Sequence, residues 1–348
     1  MKYTIDAAVC PVWEGGAVYN ETVWPVDLCG GELLIPLLYH ADRILSVTDT
    51  SLSTEFVQGR DYELKDGKLH IIRGGGISVT PADGFFLKEP QSESPFQIGA
   101  EGGGWLFFGE GDWITKKQIC VTYLHGDAWD GFKPGPTSKL PRTRGRIADD
   151  APFTFAFFGD SITYGCNSSG MKDIMVPPFA PTWPAMTVDY MNRRGGHVGY
   201  INRAVGGMNC RWGAEQMTPL FGGDRFDLML IAFGMNDPSI EGFEENTEKM
   251  IEDALKINPE CEFLLMSTTL PHKLAAGFYR QQYMQQPILE RICEKYGDIA
   301  ELVPMTDMHS ALLEKKRFYD MTGNNVNHPN DFLAAVHAQT ILRILGVR

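Results

Sequence analysis

The spacing of apolar positions changes character near residue 150. Upstream, residues 1 to about 132 carry short apolar or alternating runs separated by Gly, Pro and Asp-Gly. A period of two marks half-buried strands. Residues 60–64 and 69–72 flank an Asp66-Gly67 turn, and this pattern predicts a hairpin. Residues 105–108 and 118–123 are further strand candidates, and no helical pattern stands out. Turns roughly every ten residues predict an all-β sandwich or jelly roll.

Residues 133–150 read as a linker, because Pro, Gly and repeated Lys/Arg favour a solvated, irregular chain. Residues 151–348 then alternate strand and helix. Strands are predicted at 153–158, 200–204, 227–233, 262–268 and 301–305. Helices are predicted near 182–194, 243–257, 281–296 and 329–345, with Ile288, Ile292 and Tyr296 forming a one-sided stripe in the third. This alternation implies a parallel sheet covered on both faces, with ligands at the carboxyl ends of its strands. The expected units are a β domain at 1–132, a linker at 133–150 and an α/β domain at 151–348.

Composition narrows the classes of partner. Of 348 residues 43% are apolar, ample for a core, and the formal charge is -13. Such acidity disfavours nucleic acid and anionic membrane surfaces. No run of about 18 apolar residues predicts a membrane span. The seven cysteines are scattered and odd in number, which favours free thiols. With no secretory h-region at the start, a cytoplasmic location is expected, and export of a mature form is compatible with the same residues. No Cys or His spacing suggests a metal, and no cofactor is called for. The sequence leaves room for a homo-oligomer.

The chemistry concentrates at strand ends. The apolar run 155–158 stops at Gly159-Asp160-Ser161, presenting a hydroxyl where a buried strand runs out. Gly206-Gly207 follows the second strand, and its glycines let a backbone N–H approach a ligand. Gly234-Met235-Asn236-Asp237 follows the third and offers a carboxamide donor. His328 precedes Pro329, which suits the first turn of the last helix. A hydroxyl, an imidazole and amide donors are what acyl transfer requires.

These four segments, in this order, resemble the blocks of the SGNH (GDSL-type) hydrolase family over residues 153–345. The resemblance implies a three-layer αβα sandwich of about five parallel strands, similar to flavodoxin. It implies Ser161 as nucleophile, His328 as base, and Ser161, Gly207 and Asn236 as the oxyanion hole. The family usually has Asp three residues before the histidine; here that residue is Asn325. The expectation is a Ser161–His328 dyad oriented by Asn325 or a backbone carbonyl, with Asp320 or Asp331 as stand-ins.

A β-sandwich ahead of such a domain resembles carbohydrate esterases, so the expected substrate is an O-acetylated sugar or oligosaccharide. A short-chain lipid esterase or thioesterase shares the same chemistry, and a non-catalytic carbohydrate-binding protein is the reading from another class. Trp183 and Trp212 are candidates for lining the cleft. Trp13, Trp24, Trp105, Trp113 and Trp129 are read as sandwich core. The segment 166–182 is expected to form a loop over the site and to set acyl size.

Overall fold

The computed structural model describes residues 3–89 and 97–347. Its centre is a five-stranded parallel sheet. The strands are β1 (Phe153–Gly159), β2 (Val198–Asn202), β3 (Leu228–Ala232), β4 (Glu262–Met266) and β5 (Ala300–Val303), in the order β2-β1-β3-β4-β5. Helices are α1 (Trp183–Arg193), α2 (Cys210–Phe221), α3 (Phe243–Ile257), α4 (Gln285–Tyr296), α5 (Met305–Leu313) and α6 (Asp331–Ile344).

Strand alternation sorts the side chains into two layers. Phe155, Phe157, Leu228, Leu230, Leu264 and Met266 share one core with α1, α5 and α6. Their neighbours Ala156, Phe158, Met229, Ile231, Phe263 and Leu265 share the other with α2, α3 and α4. Each fully buried Phe or Leu contributes about 1.5–3 kcal/mol, so both faces need cover. The result is the αβα sandwich the sequence predicts.

Two of these six helices escape the sequence pattern. α5 is one. The other, α2, contains Gly213 and Pro219, which read locally as breakers. Gly213 is there for packing: a Cβ would lie 2.7 Å from Met250 Sδ and 2.7 Å from the Phe233 ring.

The expected irregular linker is corrected in part, because Pro141–Ala148 is a helix. Pro141 occupies its first turn, where a missing N–H costs nothing. The next two amides, Arg142 and Thr143, donate to the carboxylate of Glu262 at 2.9 and 2.7 Å. A negative charge at a helix start is favourable, and Glu262 is fully buried on β4.

Among the described residues, the upstream part is strand-rich and divided among four small sheets. The largest pairing runs Ala17–Val23, Ile119–Leu124, Arg43–Asp49, all antiparallel. The Asp66-Gly67 hairpin is present, joining Tyr62–Lys65 to Lys68–Ile71, with both turn residues at positive φ. The expectation of no helix upstream is corrected: among the described residues the four-residue helix Ile5–Ala8 precedes the first strand and Ala82–Phe85 lies between strands. Val18, Val47, Val121 and Tyr123 belong to the same continuous core as α1 and α6. All seven cysteines are free. Among the described residues no helix is long and apolar enough to cross a membrane.

Candidate active site

Ser161 stands at the carboxyl end of β1, first in the short helix Ser161–Tyr164. Asp160 caps that helix, its Oδ1 accepting from Ile162 N at 2.9 Å. Gly159 makes the turn possible: a Cβ there would sit 2.3 Å from both Ala232 O and Thr163 Oγ1. Burial pushes the Asp160 carboxyl up to about 7, with the Ile162 N–H pulling the other way.

His328 is carried by a loop folded around Asn324. The Asn324 Oδ1 accepts from the N–H groups of Val326, Asn327 and His328 at 2.9–3.0 Å. Thr322 Oγ1 donates to His328 O at 2.9 Å. Beyond it Asn330 caps α6 by accepting from Leu333 N. These bonds brace the backbone of the turn, and the ring is held on a stiff base.

The ring joins segments far apart in sequence. Its Nε2 lies 2.8 Å from Ser161 Oγ. Its Nδ1 lies 2.8 Å from Asn167 Oδ1 and 3.1 Å from Glu110 Oε2. The Asn167 Nδ2 points at the carbonyls of Gly111 and Gly323, which fixes the amide with its oxygen toward the ring. Both partners of Nδ1 are therefore acceptors, so Nδ1 carries the proton. Nε2 is left with a lone pair facing the serine hydroxyl, the arrangement of a general base.

The other expected oxyanion donors, Gly207 and Asn236, lie in the turns after β2 and β3. Gly207 adopts φ +77°, a left-handed conformation suited to glycine. The preceding Gly206 is close enough that a Cβ there would be 3.7 Å from Ser161 Cβ. Asn236 Nδ2 donates to Met208 O at 3.0 Å, tying the third strand end to this turn. Asp237 accepts from the Cys210 amide and thiol, anchoring the start of α2.

Several expectations need correction. Asn325 does not touch the ring: its Nδ2 donates to Phe107 O at 2.8 Å, and the residue sits at φ +65°. Its carbonyl instead faces His272 Nδ1 at 3.0 Å. Asp320 is taken by Arg317 and the Trp24 amide, and Asp331 accepts from Ser169 N. Trp183 is fully buried, donating to Ile162 O and stacked on His337, so it lines no cleft. Trp212 packs on Phe158 and Phe233. Conversely Trp113, read as core, is 51% exposed, while Trp13 and Trp24 are buried as expected.

Glu110 and Asn167 were not legible beforehand. Neither has a helical or strand pattern around it, and Glu110 lies between glycines in the strand-rich region. Segment 166–182 contributes Asn167 to the site. Its Val176, Pro177 and Pro178 line a separate cavity of about 400 Å³ between the strand Ala17–Val23 and α6. His272, His309 and His337 are internal, and burial lowers them to about 4, 3 and 4.

The GDSL-like lipase/acylhydrolase family model matches residues 157–334. Among solved structures the chain is similar to a two-domain esterase (CEX) active on acetylated mannans, co-crystallised with mannopentaose, at 20% identity and a TM-score of 0.47. That match covers 60% of this chain and 52% of the other, so the chain spans about half the length of that esterase. It is also similar to a catalytic mutant of Axe2, an acetylxylan esterase from Geobacillus stearothermophilus, at 15% identity and a TM-score of 0.46, covering 56% and 95%. Est24, a carbohydrate acetylesterase from Sinorhizobium meliloti, matches at 10% identity and a TM-score of 0.41, covering 55% and 96%. No curated protein matches the chain. The matched segment takes in β1 with Ser161, the turns after β2 and β3, and the His328 loop, and on it the chain belongs to the GDSL-like lipase/acylhydrolase family.

Proposed function

We propose that this protein is a serine esterase that removes short acyl groups, acetyl above all, from O-acylated sugars or oligosaccharides. The observation that carries the esterase reading is the 2.8 Å contact between Ser161 Oγ and a His328 Nε2 whose ring is protonated on its far side. Ser161 Oγ attacks the ester carbonyl and its proton passes to Nε2. N–H groups of Ser161 and Gly207 and the Asn236 carboxamide hold the oxyanion. The imidazolium then gives its proton to the leaving alcohol, and water releases the acid by the same route.

The strand-rich region ahead of the GDSL-like segment, a layout that resembles carbohydrate esterases, favours a short acyl group on a sugar. The test is acetate release from acetylated mannan and xylan oligosaccharides, beside p-nitrophenyl esters of two to eight carbons. Preference for octanoyl esters sinks the sugar reading and leaves the esterase. Failure of Ser161 to react with a fluorophosphonate, or full activity in Ser161→Ala, sinks both and favours a binding protein.

A further inference from the structure

We propose that the group behind the histidine is divided between two residues outside the usual position: Asn167 fixes the ring, and Glu110, from the strand-rich region, supplies the negative charge. This rests on reading Ser161 and His328 as nucleophile and base.

The two partners of Nδ1 differ in kind. Asn167 is 2% exposed, closer, and held by two carbonyls. It is a rigid neutral acceptor, able to set tautomer and tilt but unable to balance a charge. Glu110 is longer in reach and half exposed, and it is the carboxylate touching the ring. Its other oxygen accepts from Asn324 Nδ2 at 3.1 Å. Asn324 is also the residue whose Oδ1 gathers the amides of the His328 loop, so one side chain ties Glu110 to the loop it serves. Burial raises the Glu110 carboxyl, but hydrogen bonds from His328 and Asn324 outweigh this and hold it below the usual range.

Neighbouring contacts show why the position three residues before His328 is free to be Asn. The strand Trp105–Phe107 and the turn after it lie along the loop: Asn325 Nδ2 donates to Phe107 O, and Gly109 N donates to Asn324 O at 3.4 Å. An aspartate at 325 would face the Phe107 carbonyl with no hydrogen to give it. The charge enters instead from Glu110. When Ser161 attacks, an O–C bond forms and the hydroxyl proton moves to Nε2. The new positive charge is met across Nδ1–H by Glu110 Oε2. Glu110 and Asn167 touch no substrate atom and are positioning residues acting through the ring.

The experiment measures kcat and KM for p-nitrophenyl acetate in Glu110→Gln, Glu110→Ala, Asn167→Ala and Ser161→Ala, with thermal melting alongside. Glu110→Gln is expected to lower kcat by about 10- to 100-fold with KM within twofold, less than the roughly 10⁴-fold loss known for a buried triad aspartate. Added formate is expected to restore turnover in Glu110→Ala, since the carboxylate site opens to solvent, and not in Asn167→Ala, where orientation is lost. A Glu110→Gln enzyme within twofold of wild type overturns the proposal while leaving the esterase reading intact. So does an absence of formate rescue in a folded Glu110→Ala. Wild-type turnover in Ser161→Ala overturns both.

Discussion

Lys316 and Glu21 form an ion pair in which neither side chain has any exposed surface. Glu21 lies on the strand Ala17–Val23, and Lys316 follows α5. Glu21 also accepts from the Leu38 amide and the Tyr123 hydroxyl, and Lys316 donates to Thr22 O. The charges are therefore enclosed in hydrogen bonds, which is the condition for a buried pair to hold. Removing one partner strands the other. Lys316→Met should cost about 3–5 kcal/mol in urea unfolding, and Glu21→Gln in the same chain should recover part of it. A loss below about 1 kcal/mol would mean that water reaches the pair.

Asn236 tests the oxyanion reading separately from the nucleophile. Asn236→Ala removes the carboxamide held at Met208 O. Its kcat for a short ester should fall roughly 10²- to 10³-fold, with labelling of Ser161 by a fluorophosphonate slowed but present. An unchanged kcat would place the oxyanion elsewhere.

Asn325 should behave as a structural residue. Its left-handed backbone is one glycine adopts freely, so Asn325→Gly isolates the side chain. Loss of the bond to Phe107 O should cost about 1 kcal/mol of stability while kcat stays within a few-fold. A kcat loss of 100-fold or more would return Asn325 to the catalytic machinery.

How far the sequence leads is visible in these residues. β1, its stop at Gly159-Asp160-Ser161 and the Pro329 turn are local events. Each is written in adjacent residues; β1 and its stop are found where the pattern puts them, whereas Pro329 precedes Asn330, the cap of α6, and so lies just outside that helix's first turn. The partner of the histidine is a tertiary event. Glu110 and Asn167 reach His328 from 218 and 161 residues away, and no periodicity records such a distance. Three residues back from His328, Asn325 turns its side chain to Phe107 O and away from the ring. The helix α2 is hidden for a related reason: Gly213 answers to Met250 and Phe233, not to its own helix.

Asp160 makes stability depend on pH in a definite direction. Its folded carboxyl titrates near 7, against about 3.9 in an unfolded chain. Between those values the folded state keeps a proton that the unfolded state releases, so stability falls as pH rises from about 4 to 7. His272, His309 and His337, lowered by burial, act oppositely, adding stability as pH rises from about 4 to 6.5. The difference between wild type and Asp160→Asn removes that background. Going from pH 4 to 7.5, the variant should gain on wild type by on the order of 2–4 kcal/mol, read from urea midpoints. Parallel curves for the two would show that Asp160 is ionised throughout.

The uninterrupted core running from Val18 and Val121 into α6 bears on how such an enzyme could be re-engineered. Cutting the chain before β1 would expose the outer side of α6 to water, and a transplanted sugar-binding module would need to reproduce that apolar seam before it could help. Changes of specificity are better sought by exchanging single side chains around the Ser161–His328 contact than by shuffling whole segments.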